Sequence, residues 1–152
     1  MAFEPVYMVW DFYDGVRSGI ASYQGAPHYF ECESDPAQDD HPEVYRLWPI
    51  DQSLLPLAQE QWRIFRAWEL RFHRGEAPDE THPGHRGQNA RYDELADLIQ
   101  PRLKSSSGLI PRARADFRSV RDQPERPVGC LADLEVQWIS VDRMPPGLSF
   151  GS

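Results

Sequence analysis

The chain has 152 residues, of which 40% are hydrophobic and 12% aromatic, with a formal net charge of −8. That length fits a single domain with a real core, and the hydrophobic share excludes a disordered chain. The acidic balance works against two function classes, nucleic-acid binding, which needs a basic surface, and docking on anionic membranes.

The N-terminal third reads as a β-meander. VYMVWDFY is rich in strand formers and runs into Asp14–Gly15, a turn signal. GIASY, the Gln24–Gly25 turn and APHYFEC follow as two more strands, with Pro27 near the start of the third. Strict alternation in the first strand puts Asp11 with Val9 and Tyr13 on one face and Trp10 with Phe12 on the other. Asp14 then belongs to the turn, within reach of Arg17, and Asp11 remains as a carboxylate candidate flanked by aromatic residues. The stretch ECESDPAQDDHPE holds six acids and no Lys or Arg, the pattern of a solvated loop. VYRLWPI returns as a fourth strand.

A long helix is expected from Leu54 to Arg74, capped by Ser53, with Pro56 harmless in its first turn and Gly75 and Pro78 as stops. Leu54, Leu57, Ala58, Trp62, Phe65, Trp68 and Phe72 share one face, opposite Gln59, Arg63, Arg66 and Arg74. The aromatic members read as core packing rather than as a ligand platform. Gln61 falls inside the apolar stripe, so its amide needs a partner on a strand or on the other helix. After GEAPDETHPGHRGQN comes a second helix capped by Asn89, with Tyr92, Leu95, Ala96 and Ile99 buried, ending at Pro101. KSSSG is a flexible connector.

RARADFRSV and ADLEVQWIS then alternate as strands and pair across QPERPVG, bringing arginines opposite acids. The basic stripe of Arg112, Arg114, Arg118 and Arg121 is thereby neutralised and does not mark a phosphate surface. The expected fold is α+β: an antiparallel meander of about four strands, two helices on one sheet face, and a C-terminal hairpin. Residues 1–143 form one domain, and 144–152 an irregular tail.

The chemically loaded region is the end of the long helix and the loop after it. Glu69 and His73 are i,i+4 neighbours, and Asp79, Glu80, His82 and His85 follow. Glu69 orienting His73, with Asp11 contributed by the sheet, would supply general acid/base groups; His73, His82 and His85 would supply metal ligands. HPGH matches no specific zinc motif, however, and phosphate-binding loops and nucleophile elbows are missing from the sequence. His28 reads as a structural strand histidine, and His41 as exposed. Cys32 and Cys130 lie in no CxxC pair and read as buried reduced thiols, with a long-range disulfide between them as the alternative, and nothing local marks Cys130 as activated.

These patterns point to a non-catalytic protein- or ligand-binding module. The alternative is a small enzyme, metal-dependent and of hydrolase type, using the Glu/His cluster. The N-terminal sequence lacks the basic region and apolar run of a signal peptide, and no run approaches the ~18 apolar residues of a membrane span, so a cytoplasmic location is expected. The patterns name neither a cofactor nor a particular partner.

Overall fold

A computed structural model describes residues 2–12, 15–33, 44–105, 110–121, 123 and 125–141. Among the described residues there are six strands: β1 (Glu4–Phe12), β2 (Val16–Tyr23), β3 (Ala26–Cys32), β4 (Val44–Pro49), β5 (Arg112–Ser119) and β6 (Leu134–Ser140). Two helices, α1 (Leu54–His73) and α2 (Ala90–Ile99), lie between β4 and β5. Asp14, His41, most of the acidic stretch, most of the KSSSG connector and the tail from 142 onward lie outside the described residues.

The sheet is a closed antiparallel barrel in the order β1-β2-β3-β4-β5-β6, not an open meander with a separate hairpin. Two seams make the difference. β4 pairs with β5 from Val44↔Arg114 to Arg46↔Arg112, and β1 pairs with β6 at Glu4↔Val136 and Pro5↔Glu135. Both join strands far apart in sequence, so no turn signal announces them. The expected pairing of β5 with β6 is present inside the barrel, with Arg118 bonded to Glu135 at 3.1 Å.

Closure gives the chain two cores. Inside the barrel, Phe30 packs edge-on against Tyr45 and Trp138, with ring centroids 5.7 and 5.6 Å away. Val9, Ala21, Leu47, Ala113 and Val136 fill the remaining interior. The polar tips of these aromatic residues bond across the barrel: the Tyr45 hydroxyl donates to Val16 O at 2.6 Å, and Trp138 Nε1 to Ser22 O at 2.8 Å. The second core lies between the helices and the outer wall of β1–β4. It gathers Met8, Ile20, Tyr29, Trp48, Leu54, Ala58, Leu95 and Ile99. β2 lies between the two, which explains why Ser18 to Tyr23 are all buried and why its sequence lacks alternation. Gly19 is required there, since a Cβ would sit 2.2 Å from Met8 O.

β1 does not keep strict alternation. Its register to β2 shifts between Val6 and Met8 and twice more before Phe12. Tyr7, Met8 and Trp10 pack on the helix side, while Val6 and Val9 face the barrel core.

The helix ends differ in how they are held. Ser53 makes no side-chain cap on α1; instead Asp51 Oδ1 accepts from Ser53 N at 2.8 Å, and Asp51 O from Leu54 N. Asn89 caps α2 as expected, accepting from Tyr92 N at 2.8 Å.

Candidate functional site

Two sites take shape around α1. The first lies where β1, α1, α2 and the loop after α1 meet. It is a pocket of about 210 Å³ lined by Met8, Val9, Trp10, Phe12, Gln61, Trp62, Phe65, His82 and Tyr92. Its floor is fixed by Gln61, whose Oε1 accepts from Trp10 Nε1 at 2.9 Å and whose Nε2 donates to Tyr92 O at 3.4 Å. The buried amide thus joins strand β1 to helix α2, which satisfies it where burial without partners would cost stability.

Aromatic rings continue along α1 behind the pocket. Trp62 stacks on Phe65 at 5.3 Å, and Trp68 on Phe72 at 4.9 Å. The stripe is not wholly core, however: Trp62, Phe65 and Phe72 are only half-buried, and Phe12 at the rim is 57% exposed.

His82 closes this row, lying 5.4 Å from Phe65 and 4.5 Å from Trp68, centroid to centroid. The loop holding it is pinned by Trp68 Nε1 donating to Thr81 Oγ1 at 2.9 Å, and Thr81 donating to Pro78 O. Gly84 N donates to His82 Nδ1 at 2.8 Å, so the neutral ring carries its proton on Nε2. Burial, with His85 adding to it, holds His82 below the ordinary 6.5. Tyr92 is pushed up by burial, then by Asp93 and Asp11.

Asp11 itself is exposed and accepts from Ser18 Oγ at 3.0 Å, opposite which it is registered. It therefore acts on the pocket only as a nearby charge. Its neighbours Trp10 and Phe12, not Asp11, supply the lining.

The second site is at the end of α1. Glu69, His73 and Cys130 offer ligand atoms that all lie within 4.8 Å of one another, the one such group of three among the described residues. The expected set of His73, His82 and His85 is not assembled. His82 and His85 pair with each other at 5.8 Å beside the aromatic row, and the thiol of Cys130 takes the place beside His73. The i,i+4 relation of Glu69 and His73 does bring those two together.

Arg66, expected on the outer face of α1, is buried beside this site. Its Nη1 donates to Glu69 Oε1 at 2.6 Å and its Nη2 to Asp133 Oδ1 at 2.8 Å. Leu131 N donates to Glu69 Oε2 at 2.8 Å, so the loop before β6 docks on the helix at this carboxylate as well as through Asp133. Burial and the Glu69 charge push the Cys130 thiol up, against Arg126, Arg66 and Arg74. Cys32 and Cys130 are not joined in a disulfide, and both are half-buried and not fully buried as expected. His28 is the structural residue expected, its Nδ1 bonded to Ala26 O at 2.9 Å.

Sequence reasoning passed over Trp10, Phe12 and Tyr92 as lining and Cys130 as a partner of His73. The aromatic flanks of Asp11 were the available signal for the first two. For Cys130, 57 residues from His73, there was none.

A larger depression of about 570 Å³ lies beside β6, lined by Ala2, Glu4, Tyr23, Gln24, Trp138, Ile139 and Ser140. Its one carboxylate is already committed: Glu4 accepts from Ser22 Oγ and from the backbone of Gln24 and Gly25, clamping the β2–β3 turn. Among the described residues no helix is long and apolar enough to cross a membrane. Comparison with protein-family models, with curated proteins and with solved structures finds no match to the chain.

Proposed function

We propose that this protein is a non-catalytic binding module whose pocket between β1, α1 and α2 receives one planar aromatic ring, from a small molecule or from a partner's side chain. The observation that carries this reading is the convergence of Trp10, Phe12, Trp62 and Phe65 with His82 and Tyr92 around one pocket. Apolar walls with a few placed polar groups are the usual make-up of a ligand site. The volume of about 210 Å³ suits a ring-sized group and not a drug-sized ligand. The barrel interior does not compete for this role, because Phe30, Tyr45, Phe117 and Trp138 occupy it. The larger depression beside β6 offers fewer aromatic walls, and its acid is spent on the turn.

p-Cresol, the tyrosine side-chain analogue, serves as the probe in a titration followed by the indole N–H resonances of Trp10 and Trp62. With eight heavy atoms at about 0.5 kcal/mol each, a dissociation constant near ~1 mM is expected. Saturable shifts that vanish in Phe65→Ala support the pocket. Shifts that stay linear, or that are unchanged in Phe65→Ala, refute it. The metal-dependent enzyme alternative draws its support from the other end of α1, where Glu69 and His73 meet Cys130.

A further inference from the structure

We propose that Glu69, His73 and Cys130 form a binding site for a zinc-type divalent ion, with three protein ligands and one open position. This site stands independently of the aromatic pocket.

Its three ligand atoms, a carboxylate oxygen, an imidazole nitrogen and a thiol sulfur, already lie within 4.8 Å of one another. Tetrahedral zinc with bonds of about 2.0–2.3 Å needs its ligands roughly 3.3–3.8 Å apart. Contraction of about 1 Å, within the reach of side-chain rotation, closes the difference. A sulfur, nitrogen and oxygen set selects zinc over magnesium and calcium, which take oxygen ligands.

The backbone is shaped for this approach. Cys130 N donates to Pro127 O in a turn where Gly129 has φ +100°. A Cβ on Gly129 would lie 2.5 Å from His73 Cε1, so only glycine lets the turn rest against the ring. The Leu131 N–H bond to Glu69 Oε2 and the Arg66 bond to Oε1 orient the carboxylate in advance, while each oxygen keeps a further lone pair. Phe72 holds the His73 ring edge-on at 4.9 Å.

Charge sets the affinity. The Arg66 guanidinium, bonded to Glu69 Oε1 at 2.6 Å, opposes an added dication beside that carboxylate. Binding exchanges the thiol proton for the metal, giving one Zn–S bond and one released proton per ion.

The test uses the full chain, reduced with a phosphine and stripped with EDTA, titrated with zinc chloride by calorimetry. One ion per chain is expected, with affinity reduced about tenfold or more in both Cys130→Ser and His73→Gln. Cys32→Ser should bind as the wild type does. Cobalt should give a thiolate-to-metal charge-transfer band that Cys130→Ser abolishes. Circular dichroism and a cooperative melt establish that each variant is folded. The absence of stoichiometric binding overturns the proposal. So does binding that survives Cys130→Ser and His73→Gln, or that is lost instead in His82→Ala.

Discussion

Replacing Glu69 by Gln removes one charge and almost no volume, yet it should be among the costlier changes to this chain. Two donors meet the carboxylate on different oxygens, Arg66 Nη1 at 2.6 Å and Leu131 N at 2.8 Å. A glutamine offers one acceptor, so its NH₂ must face one of those donors. The Arg66 side chain is only 9% exposed and so cannot turn to water without repacking; Asp133, 43% exposed, is then its anionic partner, with the Trp62 ring 5.1 Å from its guanidinium. A lost charged hydrogen bond is worth about 1.5–3 kcal/mol, and an orphaned buried donor costs a further 1–3. Part of this is recovered through Asp133, giving an expected loss of about 3 kcal/mol, or roughly 6–12 °C in Tm for a chain of this size. Urea unfolding of metal-free protein measures it. Arg66→Met, which removes the buried cation, should cost less in the Glu69→Gln background than in wild type. A loss below about 1 kcal/mol for Glu69→Gln, or strict additivity of the two changes, would refute the view that this pair fastens residues 130–133 to α1.

Gly19→Ala should destabilise by about 3 kcal/mol or abolish the cooperative melt, because the added Cβ meets the backbone oxygen of Met8 at 2.2 Å and nothing flexible can yield. A Tm within a degree of wild type would contradict the barrel register. Gly129→Ala should cost about 1–2 kcal/mol in chemical unfolding through its positive φ, and should weaken zinc binding in the same preparation. Acid should act in two windows. Burial holds His28 and His82 below 6.5, so the unfolded chain takes up protons first, and stability that is complete above 6.5 is lost as pH falls through the folded values. Glu33, bonded by Arg112 and Arg46, lies below 4.5; so does Glu4, where bonds from Ser22, Gly25 and Gln24 outweigh burial, and their contributions disappear in a second, more acidic range. Tm followed against pH checks this; His28→Gln with His82→Gln should flatten the first descent, and a Tm rising from pH 7 to 5 would rule it out.

Local pattern determined much of the fold. Runs of β-branched and aromatic residues bounded by Gly15 and Gln24–Gly25 mark β1 to β3, and the residues of that second turn take positive φ of 54° and 83°. The apolar spacing from Leu54 onward, with Gly75 after it, marks α1 to within one residue. Gln61 inside an apolar stripe announced a buried bond, and alternation in β5 and β6 announced their pairing. All of these are signals within one element or between neighbours.

What the tertiary structure alone decided is long-range. Barrel closure depends on Val44–Arg46 meeting Arg112–Arg114, and Glu4–Pro5 meeting Glu135–Val136, and strand edges carry no side-chain code for a distant partner. Arg66 looked like a surface residue because the wheel of α1 knows nothing of the loop that brings Asp133 over it. His73 found Cys130 and not His82, because Gly129 lets one turn approach while Thr81 and Trp68 hold the other loop against the aromatic row. Helix and strand periods are properties of the backbone, legible in a few residues. Which charges and thiols meet is a property of closure, fixed only when distant segments bury each other.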